Sequence, residues 1–146
     1  MRVLIQRVQK ASVIVDKKTI AKIARGLLVF LGIGISDTFS DADILAEKVV
    51  NLRVFDDDEG KMNLSLLQKE GEILVVSQFT LYGDCRKGRR PGYSSAMNPR
   101  EARQYYNSFI EKIRSFGLNV KTGMFQERMT VCIDNEGPVT LFMDTD

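Results

Sequence analysis

The chain of 146 residues contains no histidine. Histidine is the usual proton carrier of enzymes, so its absence excludes Ser-His-Asp and Cys-His catalysis and histidine-rich metal sites. The chain has two cysteines, Cys85 and Cys132, which are too few and too far apart for a metal knuckle or a disulfide framework. We therefore expect a protein of the reducing cytoplasm that uses neither a metal nor a cofactor.

Long apolar runs and a strong charge imbalance are also missing. No apolar run approaches the roughly 20 residues needed to cross a bilayer, and charged and amide side chains follow Met1 directly. The 21 basic and 19 acidic side chains give a net charge of only +2, so nucleic-acid binding cannot be argued from the overall charge. We expect a soluble protein that is neither exported nor inserted into a membrane.

The length and the apolar patterns predict one α/β domain over residues 1–146, with a mixed, largely antiparallel sheet and two main helices. Alternating apolar residues predict a hairpin of two strands at the start of the chain. A continuous apolar run predicts a central strand that is covered on both faces. The predicted strands cover residues 3–15, 19–24, 27–33, 72–79, 118–122, 129–134 and 139–143.

Two segments have the apolar spacing of helices. The first is predicted near residues 40–52, with Ser40 as its N-cap. The second has Asn98 as its cap, Pro99 in its first position and Gly117 at its end. The aromatic stripe of the second helix has the period of a buried face, which indicates core packing rather than a platform for bases.

Residues 77–80 (SQFT) place hydroxyl and amide groups at the end of a buried strand, which suggests a site. The four acidic residues 56–59, followed by Gly60, lack the ligand spacing of a calcium loop and are interpreted as a solvated turn. Residues 86–90 (RKGRR) are either a solvated turn or a loop that holds phosphates.

Cys85 is interpreted as a loop cysteine. Residues 135–138 (NEGP) predict a hairpin turn, although outward carbonyl oxygens there could bind an ammonium group.

Several segments of the chain, taken in order, closely resemble the signature segments of D-aminoacyl-tRNA deacylases, and the match runs from end to end. The matching segments are residues 6–8 (QRV), 11–13 (ASV), 60–64 (GKMNL), 75–81 (VVSQFTL) and 135–140 (NEGPVT). The resemblance implies hydrolysis of the ester between a D-amino acid and the 3′-terminal adenosine of tRNA. It also implies activity on glycine mischarged to tRNA, a cytoplasmic location and a homodimer with a barrel-like sheet.

The same resemblance implies an active site at the subunit interface. The pocket would consist of Ser77, Gln78, Phe79 and Thr80 of one subunit, facing a cis Gly137-Pro138 element of the other. Gln78 and Thr80 are the candidate catalytic residues, whereas Ser77, Phe79, Gly137, Pro138 and Met129 are candidates for substrate binding. Arg7 would brace the Gly-Pro element. Glu136 stands where aspartate or another small polar residue is equally expected.

We hypothesise that the Gly-Pro carbonyl oxygens hold the substrate ammonium, so that an L side chain would collide with the backbone. Backbone N–H groups near Phe79 and Thr80 would stabilise the oxyanion, and Thr80 would orient the reactants while the tRNA 2′-hydroxyl assists attack by water. Thr80 as a nucleophile is the alternative. Two other functions stay open at this point: a nucleic-acid-binding module that uses residues 86–90, and an esterase or amidase for free D-amino-acid derivatives.

Overall fold

The computed structural model describes residues 1–145, which form a single α/β domain with a mixed and nearly barrel-shaped sheet. This architecture confirms the predicted fold class. In chain order, the elements are β1 (Arg2–Val15), β2 (Lys18–Ile23), β3 (Gly26–Gly32), α1 (Phe39–Asn51), β4 (Phe55–Asp56), β5 (Met62–Leu64), α2 (Leu66–Lys69), β6 (Glu72–Ser77), a 3-10 turn (Phe79–Tyr82), α3 (Pro99–Ser115), β7 (Val120–Thr122) and β8 (Thr130–Asp144).

Strand β1 is the centre of the sheet. Its first half pairs antiparallel with β3, its second half pairs antiparallel with β2, and β8 runs antiparallel along its other edge. The predicted hairpin between β1 and β2 is present. Its two turn residues, Asp16 and Lys17, both have positive φ angles of 47° and 65°, as two-residue hairpin turns require.

Strand β3 is covered on both faces, as its apolar run predicted. It pairs in parallel with β6, which in turn pairs in parallel with β7. A Cβ atom at Gly26 would lie 1.9 Å from the Glu72 carbonyl oxygen, so the start of this parallel pair needs glycine. One apolar core lies between the sheet and helices α1 and α3, and a second fills the inside of the curved sheet. The carboxyl end of β6 is therefore held in the sheet by its pairing with β3, which extends to Ser77.

Helix α3 begins and ends close to the predicted residues. The Asn98 side chain accepts a hydrogen bond from the Arg100 N–H, and the aromatic stripe packs in the core. The prediction of Ser40 as the cap of α1 was wrong, because Thr38 caps this helix and exchanges hydrogen bonds with Asp41 three residues later. This reciprocal pair satisfies two N–H groups at once.

The predicted hairpin turn at residues 135–138 was also wrong. Strand β8 continues through this segment, and both of its halves pair with β1 in the same direction. The pairing with β1 shifts register near Val8, so the irregularity is a bulge and not a reversal of the chain. A bulge accommodates Pro138, which has no N–H to donate to the ladder. The Gly137-Pro138 element therefore projects from the middle of a 15-residue strand.

Candidate active site

The end of β6 and the 3-10 turn that follows it position residues 77–80. Strand β6 ends at Ser77, and the Gln78 N–H donates to the Leu31 carbonyl oxygen of β3 over 2.7 Å. Phe79, predicted as the last residue of this strand, instead begins the 3-10 turn. The first N–H groups of such a turn have no acceptor inside the turn. Polar backbone and side-chain groups thus gather at the end of a buried strand.

The side chains of Gln78 and Thr80 are joined by a hydrogen bond in which the Gln78 amide donates to the Thr80 hydroxyl oxygen. Thr80 is exposed, and Phe79 is 58% exposed. The Phe79 ring contacts the Tyr93 ring edge-on, with 5.1 Å between centroids. This contact fixes an exposed aromatic face next to the amide-hydroxyl pair.

A cavity of about 620 Å³ opens beside this turn. Its floor is formed by the ends of β3 and β6, and its walls come from the start of α3 and from residues 125–131. The structure brings Ser77, Gln78, Phe79 and Met129 together in its lining, whereas Thr80 lies outside that lining and reaches it through Gln78. Sequence reasoning missed the other lining residues, which include Tyr93, Asn98, Ala102, Phe125 and Gln126.

Met129 and Phe125 are fixed by contacts with neighbouring elements. The Met129 sulfur accepts a hydrogen bond from the Met124 N–H over 3.3 Å, and a Cβ atom at Gly123 would lie only 2.8 Å from that sulfur. The Phe125 ring packs at a tilt against Tyr106, with 5.4 Å between centroids. Phe125 had no sequence signal of its own, because its role depends on this contact with α3.

A buried polar cluster holds the far end of the 3-10 turn. The Asp37 carboxylate accepts from the Met1 ammonium over 2.6 Å, from the Gly34 N–H over 2.6 Å and from the Tyr82 hydroxyl over 3.3 Å. Burial of the Tyr82 hydroxyl raises its pKa well above the usual range, and the nearby negative charge of Asp37 raises this pKa further. Tyr82 therefore stays protonated near neutral pH and acts as a donor that ties the turn to the core.

Gly137 and Pro138 lie on β8, are exposed, and are joined by a cis peptide bond. Within one chain they do not line the cavity. Val131 does line it, and Gly137 lies six positions further along the strand, or roughly 20 Å away. The Asn135 side-chain amide spans the bulge, donating to the carbonyl oxygens of Arg7 and Val139 over 3.0 and 3.1 Å. Sequence analysis assigned no role to Asn135.

Arg7 lies beneath the Gly-Pro element and is 3% exposed. Its guanidinium donates to the Val54 carbonyl oxygen over 2.7 Å, and its Nη2 atom is 3.5 Å from the Gly137 carbonyl oxygen. Asp56 and Glu136 lie 3.3 and 3.9 Å from the guanidinium, so carboxylates balance its buried charge. Glu136 also forms a bidentate pair with Arg25. The Glu136 carboxyl group thus helps to hold the bulge in place, through its contacts with Arg7 and Arg25.

The acidic turn and the two cysteines do not line the cavity. Asp57 and Gly60 form the turn between β4 and β5, and within residues 1–145 no group of three potential metal ligands is present. Cys85 and Cys132 are both exposed and unpaired. Among the residues that the structure describes, no helix is long and apolar enough to cross a membrane.

Comparison with known proteins decides between the functions left open by the sequence. A family model described as D-Tyr-tRNA(Tyr) deacylase matches residues 4–144. The chain belongs to this family. It is similar to the D-aminoacyl-tRNA deacylases of Fervidobacterium nodosum and Thermosipho melanesiensis, at 55% and 56% identity, and each match covers 99% of this chain and 97% of the relative. The chain is therefore an ester hydrolase of the D-aminoacyl-tRNA deacylase family.

Two solved structures resemble the D-Tyr-tRNA(Tyr) deacylase fold of this chain. A c-Myc DNA unwinding element binding protein superposes with a TM-score of 0.94 at 41% identity, and the match covers 100% of this chain and 99% of that protein. A probable eukaryotic D-amino acid tRNA deacylase superposes with a TM-score of 0.82 at 20% identity, with 97% of each chain covered. The second likeness supports the fold alone.

Proposed function

We propose that this deacylase hydrolyses D-aminoacyl-tRNA and glycyl-tRNA at a site assembled from two copies of the chain. The observation that carries the proposal is the cavity beside Ser77, Gln78 and Phe79, which has the size of a small-molecule site. Its aromatic and thioether walls at Phe79, Phe125 and Met129 suit the flat face of the 3′-terminal adenine. The polar end at Gln78 then lies near the ester.

The exposed strand β8 supports a homodimer. This 15-residue strand is bonded to β1 along one edge, and it carries three exposed apolar side chains, Ile133, Leu141 and Phe142. A long edge strand with apolar side chains is a template for pairing with another chain. A second copy seated there would cover these side chains and bring its own Gly137-Pro138 element to the first copy.

We propose that the Gly137 and Pro138 carbonyl oxygens bind the substrate ammonium and sort enantiomers by collision. Arg7 approaches one side of the Gly137 oxygen at 3.5 Å, and a carbonyl oxygen has a second lone pair that an ammonium can use. Asp56 and Glu136 balance the Arg7 charge, which reduces its repulsion of the ammonium. An L side chain would strike the backbone, whereas glycine has no side chain to exclude.

The chemistry needs no histidine, because an aminoacyl ester is already activated. Water attacks the ester carbonyl carbon, the bond to the ribose oxygen breaks, and the 2′-hydroxyl of the substrate relays the proton. The N–H groups of Phe79 and Thr80 stabilise the charge that develops on the carbonyl oxygen. Gln78 and Thr80 position the reactants. We expect this reaction on tRNA to take place in the cytoplasm.

Deacylation of matched D- and L-aminoacyl-tRNA by the purified protein tests the sorting of enantiomers. We expect rapid hydrolysis of the D-aminoacyl and glycyl esters and almost none of the L-aminoacyl ester. Equal rates for both enantiomers would overturn sorting by collision. A D-amino-acid ester without tRNA, hydrolysed as fast as the full substrate, would instead support an esterase of free D-amino-acid derivatives.

Complementation between two inactive variants tests whether the site is shared. One variant, Gln78→Ala/Thr80→Ala, damages the pocket, and the other, Gly137→Ala, damages the Gly-Pro element. If the site takes one part from each subunit, a mixed dimer contains one intact site, and random pairing of co-expressed chains restores roughly a quarter of the wild-type sites. A site made within one chain would give no restoration.

A further inference from the structure

Residues 86–90, here named the basic loop, carry four cationic side chains in five positions: Arg86, Lys87, Arg89 and Arg90. All four are exposed. The whole chain has a net charge of only +2, so the rest of the chain is net negative. The basic loop is therefore a local concentration of positive charge, which attracts a polyanion that approaches the protein.

The base of the basic loop is fixed beside the catalytic cavity. Asp84 and Gly92 exchange backbone hydrogen bonds of 2.7 and 3.0 Å across it. The next residue, Tyr93, lines the cavity and contacts the Phe79 ring, and a Cβ atom at Gly83 would lie 3.2 Å from the Tyr93 ring. The loop thus projects from a closed base that is anchored on the 3-10 turn of the site.

The charges of the basic loop are largely uncompensated. Arg86 forms a bidentate pair with Asp84, with 2.9 and 2.8 Å between their atoms, and this pair holds the pKa of Asp84 well below its usual range. No carboxylate among residues 1–145 lies within 4.0 Å of Lys87, Arg89 or Arg90 in an ion pair. Three cations are therefore available to an external anion.

A second cavity, of about 770 Å³, lies at the end of the same 3-10 turn, where Tyr82 lines it. Arg86 lines it together with Tyr82, Gly83, Ser36 and Ser95. Its lining is mixed and includes the charged side chains of Arg2 and Asp84, whereas the lining of the catalytic cavity is mostly apolar. A strand that leaves the catalytic cavity near Phe79 thus has a hydroxyl-lined groove and the basic loop beside it.

We propose that the basic loop binds the phosphates of the tRNA acceptor end whose terminal adenosine occupies the catalytic cavity. This inference rests on the proposed function. Only the 3′ end of the RNA fits into the cavity, so the preceding nucleotides cross the adjacent surface, where Arg89 and Arg90 meet their phosphates. Arginine pairs with phosphate through two parallel hydrogen bonds. Such contacts ignore sequence, which suits an enzyme that acts on many tRNAs.

The test compares Arg89→Gln/Arg90→Gln with Lys18→Gln/Lys22→Gln, which removes the same charge from exposed positions of β2. For the loop variant we expect the KM for D-aminoacyl-tRNA to rise about tenfold, with kcat little changed. The slope of log(kcat/KM) against log salt concentration should become shallower by about 2, one for each phosphate contact. Hydrolysis of a short D-aminoacyl-adenosine ester should stay at the wild-type rate, and the β2 variant should match the wild type.

Three outcomes would overturn the inference: equal effects of the two variants, an equal loss on the short ester, or a loss of affinity for duplex DNA with unchanged kinetics on tRNA. Arg89→Lys/Arg90→Lys should keep the salt slope, because it keeps the charge. Binding of uncharged tRNA is measured in parallel and needs no hydrolysis. An inactive wild-type protein with loop-dependent tRNA binding would refute the proposed function and still support this inference.

Discussion

The side-chain amide of Gln78 donates a hydrogen bond to the hydroxyl oxygen of Thr80. An amide has no basic group near neutral pH, whichever way its oxygen and nitrogen point, so it cannot remove the Thr80 proton. The chain contains no histidine that could do so instead. The hydrogen bond therefore favours Thr80 as an orienting group rather than a nucleophile.

Thr80→Ala should lower the single-turnover rate of deacylation by about ten- to a hundredfold, the range of a lost positioning contact, and leave measurable activity. Thr80→Ser keeps the hydroxyl and should stay close to the wild type. Mass spectrometry of quenched reactions should find no acyl-enzyme. A trapped acyl-enzyme in the wild type, or complete loss in Thr80→Ala with substrate binding intact, would establish the nucleophile instead.

Gly137→Ala should separate stability from activity. A Cβ atom at Gly137 meets no described atom of its own chain within 4 Å. The free energy of unfolding should therefore change by less than about 0.5 kcal/mol. In the proposed dimer the added methyl group would enter the ammonium site, so kcat/KM should fall at least a hundredfold. Denaturant titration and deacylation kinetics provide the two measurements, and unchanged kinetics would argue against a role of this backbone in binding.

Asn135→Ala should loosen the bulge that carries Gly137-Pro138. The variant leaves the carbonyl oxygens of Arg7 and Val139 without the donor that joins them. Because Asn135 is exposed, we expect a loss of about 0.5–1.5 kcal/mol in the free energy of unfolding, together with lower activity. Asn135→Asp is a sharp comparison, because it keeps the shape but turns an acceptor toward both carbonyl oxygens. It should be no more stable than the alanine variant in urea titrations.

Asp37→Asn should destabilise the whole domain. The substitution removes the negative charge that faces the buried Met1 ammonium, and it weakens acceptance from Gly34 and Tyr82. Breaking one side of a buried ion pair costs about 3–5 kcal/mol, and Asp144, which lies 3.9 Å from the same ammonium, keeps the loss toward the lower end of that range. Asp58→Asn, at an exposed turn, should change the free energy of unfolding by less than about 0.5 kcal/mol. Urea titrations of both variants check the difference, and equal midpoints would contradict it.

Local patterns predicted the elements whose residues act on near neighbours. Asn98 and Pro99 predicted the start of α3, because helix caps favour particular residue types. The continuous apolar run of β3 predicted a strand covered on both faces, because buried positions favour apolar residues. The same patterns misplaced the N-cap of α1 by two residues. The short elements β4, β5 and α2 escaped prediction, because two to four residues cannot display a period.

The conformation of residues 135–138 could not be predicted from the local sequence. Its composition is that of a turn, yet a continuous partner strand keeps the chain extended, since β1 supplies hydrogen bonds on both sides of the bulge. Asn135 and Glu136 find their partners at Arg7, Val139 and Arg25, most of them more than 100 positions away in sequence. Contacts of this kind have no local signature.

The amino-acid sequence by itself determined the fold class, the exclusion of histidine chemistry and the family, because composition and spaced motifs are properties of the chain alone. Only the tertiary structure decided that Ser77, Gln78, Phe79 and Met129 share one cavity, and that Gly137 and Pro138 of the same chain lie outside it. The physical reason is that a site forms where separate strands and loops end together in space. Their distances follow from packing of the whole domain.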